Sequence, residues 1–77
     1  MPAEFSGEKL RDARRRKNIT QEVLAEKADL GDRYIRDLES GRKRNPSAVL
    51  VCQMSQALDI QMDELMDIKQ ENDGKAL

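Results

Sequence analysis

Apolar residues recur along the chain at spacings of three and four, and this period predicts short amphipathic helices joined by short turns. The pattern predicts helices over about 7–17, 21–28, 32–40, 48–58 and 62–68. No segment alternates between apolar and polar residues in the way a half-buried strand does. The expected fold class is therefore all-α, a compact bundle of five short helices over residues 6–68. Residues 1–5 are expected to form a flexible arm, and 69–77 a polar, disordered tail.

Residue types typical of helix ends support these limits. Ser6, Thr20 and Ser47 stand just before three of the predicted helices, where a hydroxyl can accept a hydrogen bond from the first turn. Asn18 and Gly41 follow two of the helices, at positions that favour a left-handed backbone conformation. The helices between these residues are therefore delimited at both ends.

Composition narrows the chemistry that the chain can perform. Apolar residues make up 38% of it and aromatic residues 3%, so aliphatic residues and methionine must form the core. Cys52 is the only cysteine and histidine is absent, so we expect no internal disulfide, no metal site and no cofactor. No nucleophile–base pair can be assembled either, so an enzyme is not expected. Neither a signal peptide nor an apolar run of membrane-spanning length is present, which favours a reduced cytoplasmic setting.

The charges are distributed unevenly, although the net charge is only −1. Residues 9–44 carry twelve Lys and Arg against seven Asp and Glu, whereas residues 45–77 carry two against six. Such an asymmetric field, more than the net charge, decides where a polyanion docks. The alternative is that these charges only solvate a small domain.

Residues 20–44 combine two short helices, a sharp turn and a basic segment in one continuous run. The turn is Asp29-Leu30-Gly31, the second helix ends at Gly41, and cations begin immediately afterwards. A helix-turn-helix unit has these parts in this order, with its second helix in the DNA major groove. The run therefore predicts a DNA-binding unit with 32–40 as its recognition helix.

The positions of the apolar and small residues resemble those of the lambda-repressor-like helix-turn-helix family. This family includes phage Cro proteins, phage repressors and restriction–modification controller proteins. The matching residues are Leu10-Arg11, Arg14, Ile19-Thr20-Gln21, Leu24-Ala25, Ile35, Leu38-Glu39, Gly41, Pro46-Ser47, Val51, Met54, Ala57-Leu58 and Leu65. Asp29 departs from the glycine that the family prefers in the turn, and Asp32 stands where relatives often carry Gln, Ser, Thr or Arg.

The resemblance implies a transcription regulator that binds double-stranded DNA as a homodimer on a palindromic operator. It also implies a bacterial, phage or plasmid source. No membrane contact and no small-molecule effector domain are expected in a chain of this length. Relatives join two positions, here Arg14 and Glu39, in a salt bridge that orients the recognition helix.

Arg33 and Arg36 are the predicted base readers, with Asp32 and Asp37 as their acidic neighbours. Arginine can donate two hydrogen bonds to guanine O6 and N7, and a carboxylate can accept one from cytosine N4. The alternative reading is an exposed ion pair between Arg33 and Asp37, four residues apart on one helix.

Predicted phosphate contacts lie at the start of the second helix, on the recognition helix and in the basic loop. They are Gln21, Tyr34, Ser40, Arg42, Lys43, Arg44 and Asn45. A helix N-terminus and a cluster of cations both attract phosphates. Tyr34 has a core position as its alternative, and the loop has plain solvation.

The C-terminal part of the bundle holds more apolar residues than one short helix can bury. The predicted homodimer interface therefore consists of Leu58, Ile60, Met62, Leu65, Met66 and Ile68. A rival function from another class is a protein-binding module, such as an antitoxin or an antagonist, that uses the same fold and this apolar face.

Overall fold

Four α-helices and a short two-stranded ribbon make up the part of the chain that the structure, a computed structural model, describes, residues 3–68. In chain order the elements are β1 (Ala3–Phe5), α1 (Gly7–Arg16), α2 (Gln21–Ala28), α3 (Asp32–Ser40), α4 (Ala48–Leu58), a 3₁₀ turn (Met62–Leu65) and β2 (Met66–Ile68). The predicted tail, 69–77, lies outside the described residues. Within 3–68, no helix has the length and apolar character needed to cross a membrane.

The four helices and the 3₁₀ turn enclose one hydrophobic core. Each element buries the residues that its three- and four-residue spacing places on one face. The buried apolar side chains are Leu10, Ala13, Leu24, Ala25, Ala28, Ile35, Leu38, Val51, Met54, Leu58 and Leu65. Aliphatic residues and methionine thus form the core, as the composition predicts.

Three hydroxyls cap the helices that they precede. Each accepts a hydrogen bond from the backbone N–H three residues later: Ser6 from Lys9 at 3.2 Å, Thr20 from Val23 at 3.1 Å and Ser47 from Leu50 at 3.3 Å. Each bond satisfies one N–H that the first turn of a helix leaves unpaired. These three predicted caps are confirmed.

Residues with a left-handed backbone conformation follow the C-terminal ends of α1, α2 and α3. Asn18 has φ 60° after α1, Asp29 has φ 60° after α2 and Gly41 has φ 86° after α3. After α2, the Leu30 N–H donates to the Ala25 carbonyl at 2.8 Å, which closes a Schellman-type turn. The sharp turn between α2 and α3 is thus built on an aspartate in a conformation that favours glycine.

Replacing Asp29 with glycine should therefore raise the free energy of unfolding by about 0.5–1 kcal/mol. Glycine adopts φ 60° without strain, and the change removes a negative charge from the carbonyl end of α2. Urea denaturation measures the effect. Asp29→Asn is the matched control, because it removes the charge while keeping a residue that tolerates this backbone conformation. If both variants match the wild type, neither strain nor charge at residue 29 limits stability.

The predicted fifth helix over 62–68 is wrong in its second half. Only Met62–Leu65 forms a helical turn, of the 3₁₀ type, and Met66–Ile68 is extended and pairs antiparallel with Ala3–Phe5. Gln61 provides no side-chain cap for a helix here. Strands of three residues are also too short to produce a recognisable alternation, so the expectation of an all-α chain missed this ribbon.

The N-terminal arm is likewise not loose over residues 3–5. Phe5 pairs with Met66 in the ribbon, and both side chains pack against the core. The Ser6 N–H donates to the Leu65 carbonyl at 2.9 Å, and Lys9 Nζ lies 3.1 Å from Asp67 Oδ1. The ribbon therefore ties the start of the domain to its end.

The structure also corrects the predicted homodimer interface. Leu58 and Leu65 are wrong as interface residues, because both are fully buried in the hydrophobic core of the chain. Ile60 and Met66 are partly buried against that core. The ribbon and the 3₁₀ turn together bury much of the apolar surface, such as Leu65 and part of Met66, that a single short helix would leave exposed. Met62 and Ile68 remain exposed.

Candidate nucleic-acid interface

The predicted recognition helix, α3, has a buried and an exposed face. Ile35 and Leu38 are buried in the core, whereas Asp32, Arg33 and Arg36 are exposed. Gly31 is the N-cap residue before α3 and makes no side-chain capping hydrogen bond to its first turn. The structure therefore presents three of the four predicted base-reading residues to solvent on one helix.

A buried ion pair fixes α3 to α1. Arg14 Nε donates to Glu39 Oε2 at 2.7 Å and Arg14 Nη2 donates to Glu39 Oε1 at 3.0 Å. Only 12% of the Arg14 side chain and 4% of the Glu39 side chain are exposed. The hydrogen bond to Glu39 raises the pKa of Arg14 above its ordinary value, against the opposing effect of burial. Two charge-assisted hydrogen bonds therefore join the end of α3 to α1.

Two further hydrogen bonds extend this pair to α2. Arg14 Nη1 donates to the Ile19 carbonyl at 2.9 Å, just before α2 begins. The Gln21 side chain donates from Nε2 to Glu39 Oε1 at 3.0 Å. Glu39 therefore binds groups from both α1 and α2. Gln21, predicted as a phosphate contact, also has this structural partner within the chain.

Arg36 lies among acceptors from both helices of the motif. Its Nε is 3.4 Å from Gln21 Oε1, and its Nη2 is 3.5 Å from Asp32 Oδ2 and 3.7 Å from Glu22 Oε2. Glu22 is not among the site residues predicted from the sequence. Its position fourteen residues before Arg36, across a turn, gives no periodic signal of the contact.

The other predicted base readers are arranged differently. Within residues 3–68, Arg33 forms no ion pair, so the alternative pair with Asp37 is absent. Asp37 Oδ1 instead lies 3.8 Å from Arg42 Nε, and only 18% of the Asp37 side chain is exposed. The Asp37 carboxylate therefore contacts the loop after α3 and is not part of the exposed face of that helix.

The basic loop after α3 is held by its backbone while its cationic side chains remain exposed. The Lys43 N–H donates to the Asp37 carbonyl at 3.0 Å, and the Arg42 N–H donates to Ser40 Oγ at 3.3 Å. Ser40 Oγ in turn donates to the Asp37 carbonyl at 3.2 Å. Arg44 follows in the same exposed loop. Because the backbone of this loop is already ordered, its cationic side chains can bind an anion with little further loss of backbone entropy.

Asn45 and Tyr34 complete the set of predicted phosphate contacts. Asn45 is exposed and has φ 59°, so it turns the chain from the loop toward α4. Tyr34 is partly buried and packs against the core from α3. The Tyr34 ring therefore occupies the core position that the sequence analysis gave as the alternative to a phosphate contact.

A shallow cavity of 220 Å³ opens where α1, α2 and α3 meet. Its lining is strongly cationic, and consists of Arg11, Arg14, Arg15, Gln21, Arg36, Glu39 and Ser40. Arg11 and Arg15 were not among the predicted site residues. Their spacing of four on α1, on either side of Arg14, is the signal that could have placed them beside the motif. The cavity has the charge and hydrogen-bond donors that a phosphate group requires.

The fold and this face define the class of protein, a small helix-turn-helix domain with a cationic surface beside its second helix. The model of the helix-turn-helix family matches residues 10–65. The chain belongs to the lambda-repressor-like branch of that family. The sequence-based resemblance is thereby confirmed.

Individual relatives are similar along most of the chain. The transcriptional regulator SinR of Bacillus subtilis is 30% identical over 67 residues, which cover 87% of this chain. The match spans 60% of SinR's own length. The restriction-modification controller protein C.AhdI from Aeromonas hydrophila is 37% identical with a TM-score of 0.73, over 77% of this chain and 88% of that one. The N-terminal DNA-binding domain of SinR has a TM-score of 0.73 at 30% identity, over 84% and 94% of the two chains.

Proposed function

We propose that this chain is a sequence-specific DNA-binding regulator of transcription that places α3 in the major groove of double-stranded DNA. The observation that carries the proposal is the cationic cavity next to the exposed face of α3. One surface thus combines side chains suited to base edges with side chains suited to phosphates. Similarity to SinR and C.AhdI, whose names describe a regulator and a controller, supports the same function.

Phosphate binding is assigned to two places on this surface. Gln21, Arg11 and Arg15 would hold one phosphate at the cavity, close to the N-terminus of α2. The exposed cations of the loop 42–44 would hold the backbone on the other side of α3. These contacts set affinity and orientation and carry no sequence information directly.

Base reading is assigned to the exposed face of α3. Arg33 and Arg36 can each donate two hydrogen bonds to guanine, and Asp32 can accept one from cytosine. Asp37 has Arg42 as its partner within the chain, so we assign it to the loop and not to a base. Operator binding would place the protein in the bacterial cytoplasm, and we assign it no catalytic role.

A homodimer on a palindromic operator follows from the same proposal. Two copies of α3 would enter successive major grooves about 34 Å apart. Exposed Met62 and Ile68, beside the partly buried Met66, offer the apolar surface on which two protomers could meet. This surface replaces the larger interface predicted from the sequence.

Neutralising the basic loop tests the proposal directly. In the triple variant Arg42→Gln, Lys43→Gln, Arg44→Gln, the slope of log K against log salt for a random duplex should become shallower by about 2–3. Each lost phosphate contact removes about 0.9 from that slope, because fewer counterions are released. Fluorescence anisotropy at a series of salt concentrations measures it.

A charge-matched variant controls for the change in net charge. Lys9, Arg16 and Lys27 lie outside both the loop and the cavity lining, so replacing all three with glutamine should change the slope much less. An unchanged slope in the loop variant would contradict the role of the loop. If the wild-type chain showed no salt-dependent DNA binding, the rival function would be favoured, a protein-binding module that acts through its apolar face. One relative, SinR, has been solved in complex with the SinI protein.

A further inference from the structure

The guanidinium of Arg36 has all of its partners within residues 3–68 at Nε and Nη2. The side edge, made of Nε and Nη2, faces Gln21 Oε1 at 3.4 Å, Asp32 Oδ2 at 3.5 Å and Glu22 Oε2 at 3.7 Å. The end edge is made of Nη1 and Nη2, and its Nη1 has no hydrogen bond or ion pair within residues 3–68. Half of the Arg36 side chain, 53%, is exposed.

This arrangement suits a guanidinium that reads a base. An end-on contact to guanine O6 and N7 uses Nη1 and Nη2, which leaves the side edge free to keep its protein partners. A side chain whose rotamer is already fixed loses less entropy when it binds. The free chain therefore holds Arg36 in a state that an end-on guanine contact does not need to disturb.

Arg36 also lines the cationic cavity, so a second use of its charge competes with base reading. Without carboxylates nearby, its guanidinium could turn to whichever phosphate is closest, at any DNA sequence. Glu22 lies in the first turn of α2 but outside the cavity lining, and its carboxylate attracts Arg36 away from a phosphate bound in the cavity. Arg33 provides the contrast, because it forms no ion pair among the described residues.

We propose that Glu22 is a specificity-determining residue, a positioning group that holds the side edge of Arg36 and so directs its end edge to guanine. The proposal rests on the proposed function, because it requires α3 to bind DNA. Glu22 would act through Arg36 and need not contact DNA itself. Removing the Glu22 carboxylate should lower sequence specificity in two ways. Discrimination at one base pair becomes weaker, and binding to all other DNA becomes stronger.

The test begins with the operator, obtained by selection from a random duplex pool with the wild-type chain. Affinities are then measured for three duplexes: the operator, the operator with its preferred guanine replaced by adenine, and a random sequence. Glu22→Gln should bind the random duplex roughly two- to fivefold more tightly, the factor that an exposed ion pair represents. Its preference for guanine over adenine should fall by a similar factor.

Two further variants separate position from charge. Glu26→Gln removes the same charge one turn further along α2, from an exposed residue without an ion pair within 3–68, and should leave the guanine preference intact. Glu22→Asp keeps the charge but withdraws the carboxylate by one methylene. It should weaken the guanine preference without strengthening binding to the random duplex. Thermal melting confirms that each variant is folded.

A double-mutant cycle decides whether Glu22 acts through Arg36. In an Arg36→Ala background, Glu22→Gln should no longer change the preference for guanine. If Glu22→Gln and Glu26→Gln strengthen binding to all three duplexes by one common factor, Glu22 is only a repulsive charge and the inference is overturned. That result leaves the proposed function standing. A wild-type chain that binds no duplex would overturn both.

Discussion

Replacing Glu39 with alanine should lower the free energy of unfolding by about 3–5 kcal/mol. The substitution leaves Arg14 charged in a site where only 12% of its side chain reaches solvent. A buried charge without a partner costs far more than the intact pair contributes. Since a domain of this size is stable by only about 5–15 kcal/mol, urea denaturation should detect the loss readily.

The matched control replaces both partners with apolar residues of similar length. Arg14→Met combined with Glu39→Met should recover most of the stability lost in Glu39→Ala, because no uncompensated charge remains. Gln21 is only half-buried, so its freed amide can turn to water. A loss below about 1 kcal/mol in the single variant would mean that Arg14 is solvated in solution.

The same ion pair connects stability to the proposed DNA-reading surface. Glu39 accepts from Arg14 on α1 and from Gln21 on α2, and Gln21 accepts from Arg36. The network therefore runs from the buried end of α3 to an exposed arginine on the same helix. We infer that the core positions the reading face through hydrogen bonds as well as through apolar packing.

The helices themselves follow from local chemistry that the sequence displays. Thr20 and Ser47 are capping residues directly before α2 and α4, and both bonds form. The apolar spacing of Ile35 and Leu38 identifies the buried face of α3, and therefore also its exposed face. These features depend on neighbours three or four residues apart, which a single sequence reveals.

Features that depend on distant residues could not be predicted in the same way. The β1–β2 ribbon pairs residues that are more than sixty positions apart, so no local period indicates it. Glu22 lies on α2 and Arg36 on α3, and the turn at Asp29 between these helices brings the two side chains together. The proximity of Arg14 and Glu39 was expected from the resemblance to a family, and no spacing rule implied it.

Gly7 is a further position whose importance no sequence pattern indicates. It opens α1 at the point where that helix crosses the backbone of α3. A Cβ atom at residue 7 would overlap the Leu38 carbonyl oxygen and would lie 3.3 Å from the Cα of Glu39. Glycine is needed here for close approach, because the obstructing atoms are backbone and cannot rotate away.

Gly7→Ala should therefore lower the free energy of unfolding by about 1–3 kcal/mol, the usual cost of overpacking, although alanine is the better helix former. The helices must separate to admit the methyl group, which also strains the Arg14–Glu39 pair between them. Urea denaturation measures the loss. Gly31→Ser is the matched control, since a Cβ there meets no atom within 4 Å and its hydroxyl can cap α3; it should stay within about 0.5 kcal/mol of the wild type. Equal stability of the Gly7→Ala variant and the wild type would mean that α1 and α3 lie further apart in solution, and the short reach from Arg14 to Glu39 would then need another explanation.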